Sequence, residues 1–106
     1  MADWVEVIKA SDFNTGDVKT IDVDGVMVAV FNQQGQYIAI EDMCPHDGSE
    51  IASGCIKDGI IECPYHGATF KLSTGAVLSP PAYEPLEMMD IRVENGMIQV
   101  RDGRWD

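Results

Sequence analysis

The sequence predicts an all-β protein whose short strands pair as an antiparallel meander. Apolar runs at 26–31 and 37–40 are rich in branched and aromatic residues, and they have the length and composition of strands buried on both faces. Dipeptides that end in glycine recur along the chain and predict tight turns. These dipeptides are Asp24-Gly25, Gln34-Gly35, Asp58-Gly59, Thr74-Gly75 and Asn95-Gly96. We therefore expect strands and turns rather than helices.

The individual elements follow from the same two signals. We predict strands, in chain order, near residues 4–9, 17–23, 26–31, 36–41, 59–62, 68–71, 87–93 and 97–101. A single helical turn is expected at Ser11-Asp12-Phe13, with Ser11 as its N-cap, because serine is a favoured capping residue. The two prolines of Ser79-Pro80-Pro81-Ala82 cannot join a β ladder, and they predict a stiff, extended loop.

Length and charge limit the architecture and the partners. A chain of 106 residues fits one hydrophobic core, so we expect a single domain at 1–106. Seven Lys and Arg residues against eighteen Asp and Glu residues give a formal net charge of −11. Such a surface repels nucleic acid phosphates and anionic membranes, and we expect neither as a partner. No apolar run has the length of a signal peptide or a membrane span, so we expect a cytoplasmic protein.

Both histidines and two of the three cysteines fall into one spaced pattern. Cys44-Pro45-His46 is followed by sixteen residues (47–62) and then by Cys63-Pro64-Tyr65-His66. Each pair comes directly after a predicted strand, so a β scaffold would hold the two loops tip to tip. Two thiolates and two imidazoles that converge in this way indicate a metal site.

The distribution of the ligand types separates the possible metals. A tetrahedral zinc ion and an iron–sulfur cluster both accept two sulfurs and two nitrogens. Structural zinc sites usually place two cysteines on one knuckle and two histidines on another, whereas here each loop supplies one of each. The mixed pairing favours two metal ions side by side, with each loop giving its thiolate to one iron and its imidazole to the other.

At these residues the chain resembles the Rieske proteins, whose Cys-x-His and Cys-x-x-His boxes hold a [2Fe–2S] cluster. The resemblance includes Gly48, Gly67, the 61–67 run and the Pro80-Pro81 loop, and it is close over 36–83. It implies that Cys44, His46, Cys63 and His66 are the cluster ligands. It also implies a Rieske-like antiparallel β sandwich with a small cluster-binding subdomain, formed by the two ligand loops at roughly 41–71 and a proline loop at 79–83 that covers one side of the cluster.

The resemblance also carries an expectation about the reduction potential. Rieske centres span roughly −150 to +300 mV, and hydrogen bonds to the sulfurs raise the value. High-potential members have a disulfide between the loops and hydroxyl donors to sulfur. The matching positions here are Ser49 and Tyr65 for the cysteines, and Ala68 and Phe70 for the donors. Because these groups are missing, and because Glu41, Asp42, Asp47 and Glu50 add negative charge nearby, we expect a potential at the low end of the range.

The resemblance implies a ferredoxin that carries one electron at a time. A flavin-dependent reductase would supply the electron, and the terminal oxygenase of a ring-hydroxylating or related non-heme iron oxygenase system would receive it. We expect no catalysis by this chain alone, because both histidines are used as ligands and no nucleotide-binding glycine fingerprint is present. We also expect a monomer, since a carrier must meet two partners in turn.

Two other functions remain open at this point. One is the small subunit of an assimilatory nitrite reductase, a family of similar size and fold in which the ligands are often absent. The other is an interaction module stabilised by zinc, which would be redox-silent. Two residues outside the ligand set also carry expectations. Cys55 is interpreted as a small buried or loop residue. Asp47 is interpreted either as an exposed loop acid, which is favoured, or as a carboxylate that couples electron uptake to pH.

Overall fold

The computed structural model describes residues 3–45, 48–65, 67–80 and 84–104. Along these residues the chain forms antiparallel strands and one turn of 3-10 helix, which confirms the predicted all-β class. The strands are β1 (Val5–Lys9), β2 (Val18–Val23), β3 (Val26–Gln33), β4 (Gln36–Glu41), β5 (Cys55–Lys57), β6 (Ile60–Glu62), β7 (Thr69–Lys71), β8 (Val77–Ser79), β9 (Asp90–Glu94) and β10 (Met97–Arg101), and the 3-10 turn is Ala10–Asp12. In this described part, no helix is long and apolar enough to span a bilayer.

Four of the five predicted glycine dipeptides close two-residue hairpins. Both residues of each dipeptide have positive φ, between 52° and 89°, as a type I′ turn requires. These turns join β2 to β3, β3 to β4, β5 to β6 and β9 to β10. Gly75 of the fifth dipeptide also has positive φ, but it lies in a wider connection between β7 and β8. The register of these four strand pairs is therefore set by local turn chemistry.

The strands form three antiparallel sheets, and the middle one supports the other two. Their strand orders are β1-β10-β9, β2-β3-β4 and β5-β6-β7-β8. Residues of β3 alternate between two apolar clusters: Ala29 and Phe31 belong to the cluster shared with the four-stranded sheet, and Val28 and Val30 to the cluster shared with the terminal sheet. All four side chains are fully buried. The continuous hydrophobicity of this strand is explained by burial on both faces.

The structure corrects several predicted elements. Strands β5 and β8 were not predicted, because each has only three residues and gains its form from pairing with a neighbour. The strand expected at 87–93 begins at Asp90, because the preceding residues run along β4 before the chain turns to pair with β10. The predicted cap at Ser11 is wrong, since the 3-10 turn begins at Ala10 and has no side-chain cap.

Candidate metal centre

Two six-residue loops follow β4 and β6, and their described residues form the same pair of backbone hydrogen bonds. We call residues 44–49 the first ligand loop and residues 63–68 the second ligand loop. In the first, the Cys44 amide donates to the Ser49 carbonyl at 2.7 Å, and the Gly48 amide donates to the Cys44 carbonyl at 2.8 Å.

The second loop repeats both hydrogen bonds. The Cys63 amide donates to the Ala68 carbonyl at 2.8 Å, and the Gly67 amide donates to the Cys63 carbonyl at 3.2 Å. Both glycines have positive φ, 79° at Gly48 and 77° at Gly67. Because L-residues rarely adopt this conformation, the glycine that follows each ligand pair in sequence has a backbone reason.

The structure brings the two cysteines into one apolar cluster. Cys44 is 0% exposed and Cys63 is 1% exposed. They share this cluster with Ile51, Ala68 and Phe70, among other buried residues. The two loops therefore present their sulfurs from one common interior.

This environment fits a metal cluster. An isolated thiolate in apolar surroundings is a costly buried charge. Bonding to cationic iron removes that cost, and it also holds a coordinating thiol in its deprotonated form. Cys44 and Cys63 thus have the chemistry and the burial that cluster ligands need.

The other predicted ligands, His46 and His66, lie outside the described residues, as do Asp47 and the Pro81 half of the proline loop. The described residues by themselves contain no group of three or more metal-binding side chains. Tyr65 is 59% exposed beside the second loop's predicted histidine, and Met43 is 37% exposed just before Cys44. An apolar rim therefore flanks the two cysteine-bearing loops.

The segments that flank the two ligand loops, which we call their stems, are in close backbone contact at Gly54. A Cβ atom at Gly54 would overlap the carbonyl oxygen of Glu62, the last residue of β6, and it would also lie 3.1 Å from the Ile51 carbonyl oxygen. Gly54 thus packs the chain that leaves the first loop against the strand that enters the second. Only glycine fits this contact without a shift of the backbone.

A hydroxyl pair links the second ligand loop to the proline loop. Thr69, the residue after that loop, has its Oγ1 atom 2.6 Å from the Oγ atom of Ser79, and its amide also donates to Ser79 Oγ at 3.2 Å. Ser79 directly precedes Pro80. On the return side, the Leu86 amide donates to the Gly75 carbonyl, so both ends of the proline segment are fixed to the four-stranded sheet region.

Two of the described carboxylates near the loops, Glu41 and Glu50, have partners. Glu41 Oε1 accepts a hydrogen bond from Arg104 at 2.7 Å. Glu50 Oε1 accepts one from the Ser53 hydroxyl at 2.6 Å, which lowers the pKa of the Glu50 carboxyl, and the Ser53 amide and the Tyr65 hydroxyl act in the same direction. The negative charge expected around the site is therefore partly compensated by hydrogen bonds.

Four site residues behave differently from expectation or were not predicted. Cys55 lies exposed on β5 rather than buried or in a loop, so its interpretation is corrected. Gly54 and the Thr69–Ser79 pair were not predicted, because their contacts join residues eight and ten positions apart. The Ser53-Gly54 dipeptide is a turn signal, but it carries no information about the partner backbone.

From the resemblance, Ala68 and Phe70 are expected at the positions of the hydroxyl donors of high-potential Rieske proteins. Both side chains are fully buried in the cluster that contains the two cysteines. Neither an alanine nor a phenylalanine side chain has a hydrogen to donate to sulfur. The structure therefore places two non-donating side chains in the interior that the sulfurs share.

The sequence of this chain is similar to those of known proteins. The family model of the Rieske [2Fe-2S] domain matches residues 3–91. The chain is 33% identical over 98 residues to ferredoxin CarAc of Metapseudomonas resinovorans, and the match covers 92% of each protein. It is 38% identical over 89 residues to the 3-phenylpropionate/cinnamic acid dioxygenase ferredoxin subunit of Shigella flexneri serotype 5b (strain 8401), with 83% of each protein covered.

A solved structure has the same fold. The complex of reduced oxygenase and oxidized ferredoxin in carbazole 1,9a-dioxygenase contains a chain that superimposes with a TM-score of 0.85 at 33% identity, covering 92% of this chain and 91% of that chain. The family match includes both ligand loops and most of the sheets that carry them. The chain therefore belongs to the Rieske [2Fe-2S] domain family, and its cofactor is a Rieske-type [2Fe–2S] cluster.

Proposed function

We propose that this protein is a ferredoxin that carries single electrons to a terminal oxygenase, and that Cys44, His46, Cys63 and His66 hold its cluster. The observation that carries the proposal is the pair of matching loops with buried cysteines in one apolar interior. Likeness over most of the chain to ferredoxin components of dioxygenase systems supports it.

The cluster, when bound, supplies reversible one-electron chemistry, while the chain shapes its surroundings. Buried side chains such as Ile51 and Phe70 exclude water from the two cysteines. The paired backbone hydrogen bonds hold each loop in a fixed shape, which limits the reorganisation that accompanies a change of charge. No group for substrate chemistry is needed, and the protein acts as a component rather than as an enzyme.

The relatives and the exposed apolar residues beside the ligand loops support a proposal about the partners. The related complex named above joins a ferredoxin to its oxygenase. We propose that this chain docks with an oxygenase through the face that bears Met43 and Tyr65, and that a flavin-dependent reductase reduces it at the same face. The chain has a net charge of −11, which would attract a basic docking surface on a partner. Because salt screens this attraction, raising the ionic strength is expected to slow electron transfer.

We further propose that the protein works as a monomer in the cytoplasm, as a single domain over 1–106. A small, transient interface suits a carrier that must leave one partner to meet the next. Sedimentation of the purified protein at micromolar concentration tests the oligomeric state, and a stable dimer would contradict this proposal.

Metal content, spectroscopy and voltammetry of the purified protein test the electron-carrier function. We expect two iron and two acid-labile sulfide per chain, a Rieske-type spectrum in the reduced state and a reversible one-electron wave. Cys44→Ser and Cys63→Ser are expected to lose the cluster, whereas Cys55→Ser, at an exposed position on β5, serves as the matched control and is expected to retain it. Bound zinc without iron would contradict the proposal and favour an interaction module.

A further inference from the structure

The side-chain carboxylate of Asp42 closes the base of the first ligand loop. Its Oδ1 atom accepts hydrogen bonds from the amides of Ile51 at 2.8 Å and Ala52 at 2.9 Å. These two hydrogen bonds, which we call the clasp, therefore link a residue just before Cys44 to residues nine and ten positions later, just after the loop. Among the described residues of this region, no β ladder spans the same gap.

The residue is itself fixed to the central sheet. Its amide donates to the Met27 carbonyl of β3 at 2.8 Å. On the other side of the clasp, Ile51 is fully buried in the cluster that contains Cys44 and Cys63. The side chain of Asp42 thus connects the rigid sheet to the apolar interior in which the sulfurs lie.

A carboxylate suits this position because it accepts two amides with one oxygen. Hydrogen bonds to an ionised acceptor are stronger than neutral ones, and the half-buried amides would otherwise lose their partners. An asparagine would keep an oxygen acceptor in the same place without the charge. An alanine would leave both amides unsatisfied.

We propose that Asp42 is a positioning residue that keeps the first ligand loop closed around the cluster, so that its loss accelerates release of the cluster. The inference rests on the proposed assignment of Cys44 and Cys63 as ligands. It concerns retention of the cluster by the loop, and the side chain takes no part in electron transfer itself.

Glu62 provides the matched control. It is an acid next to Cys63, as Asp42 is two residues from Cys44, and it is exposed. Its carboxylate accepts no hydrogen bond from the residues that the structure describes, while its backbone pairs with Thr69 in the β6–β7 ladder. Glu62→Gln therefore removes a charge near the site without opening a loop.

The experiment compares Asp42→Ala, Asp42→Asn and Glu62→Gln with the wild-type holoprotein. Decay of the visible absorbance under a chelator measures cluster release, and hydrogen exchange of a peptide that covers 50–54 measures opening of the clasp. We expect release of the cluster to be about tenfold faster in Asp42→Ala, because both charge-assisted hydrogen bonds are lost. It should be about threefold faster in Asp42→Asn, in which the two hydrogen bonds are kept but weakened. Release should be unchanged in Glu62→Gln, in which both hydrogen bonds are retained. Exchange at 50–54 should rise in the same order.

Equal release from Asp42→Ala and Glu62→Gln, with 50–54 protected in both, would overturn the inference and leave only an effect of charge. If Asp42→Ala does not accumulate as folded protein, the contrast between Asp42→Asn and Glu62→Gln decides. A wild-type protein without iron and sulfide would refute the proposed function instead, and hydrogen exchange at 50–54 would still show whether Asp42 closes the loop.

Discussion

The two ligand loops have matching backbone hydrogen bonds but are supported in different ways. The second loop lies at the end of a β hairpin, in which Glu62 pairs with Thr69 and Ile61 with Phe70. The first loop leaves β4 and returns to an irregular segment, where Asp42 and Gly54 supply the closing contacts. A ladder of backbone hydrogen bonds depends little on side-chain identity, whereas the first loop depends on individual residues. Mutations should therefore affect the first loop more strongly than the second.

The largest effect is expected at Gly54, where the stems of the two loops meet. Gly54→Ala should destabilise the holoprotein by about 3 kcal/mol, because its Cβ meets backbone atoms that are unable to rotate away. Urea unfolding followed by the visible absorbance measures this. The cluster should also be lost at lower urea than in the wild type.

Gly16→Ala is the control for this prediction. Gly16 has positive φ, but a Cβ there meets open space. Its backbone strain should cost only about 1 kcal/mol. If the two variants are equally stable, the approach of Gly54 to Glu62 does not set the geometry of the stems.

The sequence predicted the second loop better than the first. The strands predicted at 59–62 and 68–71 and the Cys-Pro-x-His-Gly motif are local signals, and they describe most of what closes the second loop. The first loop depends on the contact between Asp42 and Ile51, nine positions apart with no regular element between them, and on the approach of Gly54 to Glu62, which accompanies the unpredicted strand β5. A single sequence contains the residue types for these contacts but no sign of the pairing.

The next largest effect concerns the interior of the second loop. Ala68→Ser is expected to raise the reduction potential by about 50 mV, because a net hydrogen bond of about 1 kcal/mol to the reduced cluster corresponds to nearly that shift for one electron. Ala68 is fully buried with the two cysteines, so the added hydroxyl has no water to bind instead. Protein-film voltammetry measures the shift.

Ala52→Ser is the control for the potential. Ala52 packs against the same apolar cluster, but it lies outside both ligand loops. Its hydroxyl should leave the potential unchanged within about 15 mV, a shift worth only a few tenths of a kcal/mol for one electron. An unchanged or lower potential in Ala68→Ser would show that position 68 does not face the cluster sulfurs.

A smaller effect is expected where the second loop meets the proline loop. Ser79→Ala removes the hydroxyl pair with Thr69, and it should cost about 1 kcal/mol of stability, the usual net value of one hydrogen bond. Since the β6–β7 ladder still closes the second loop, release of the cluster should change less than in Asp42→Ala. A double-mutant cycle with Thr69→Val measures the coupling, and additive losses would show that the hydroxyls act independently.

The smallest effect is expected at the end of β4, on the side of the first loop. Arg104 binds both oxygens of Asp102 and one oxygen of Glu41, and its hydrogen bonds hold the pKa of the Asp102 carboxyl below the ordinary value of 3.8. Since the folded-state pKa is depressed, the stabilisation is complete above that ordinary value and is lost as the pH falls through the lower folded-state pKa. Arg104→Gln should therefore cost about 0.5 kcal/mol at pH 7 and almost nothing in strong acid. Urea unfolding between pH 7 and pH 2.5 measures this difference. An equal loss of stability at every pH would mean that Arg104 does not stabilise the protein through its ion pair with Asp102.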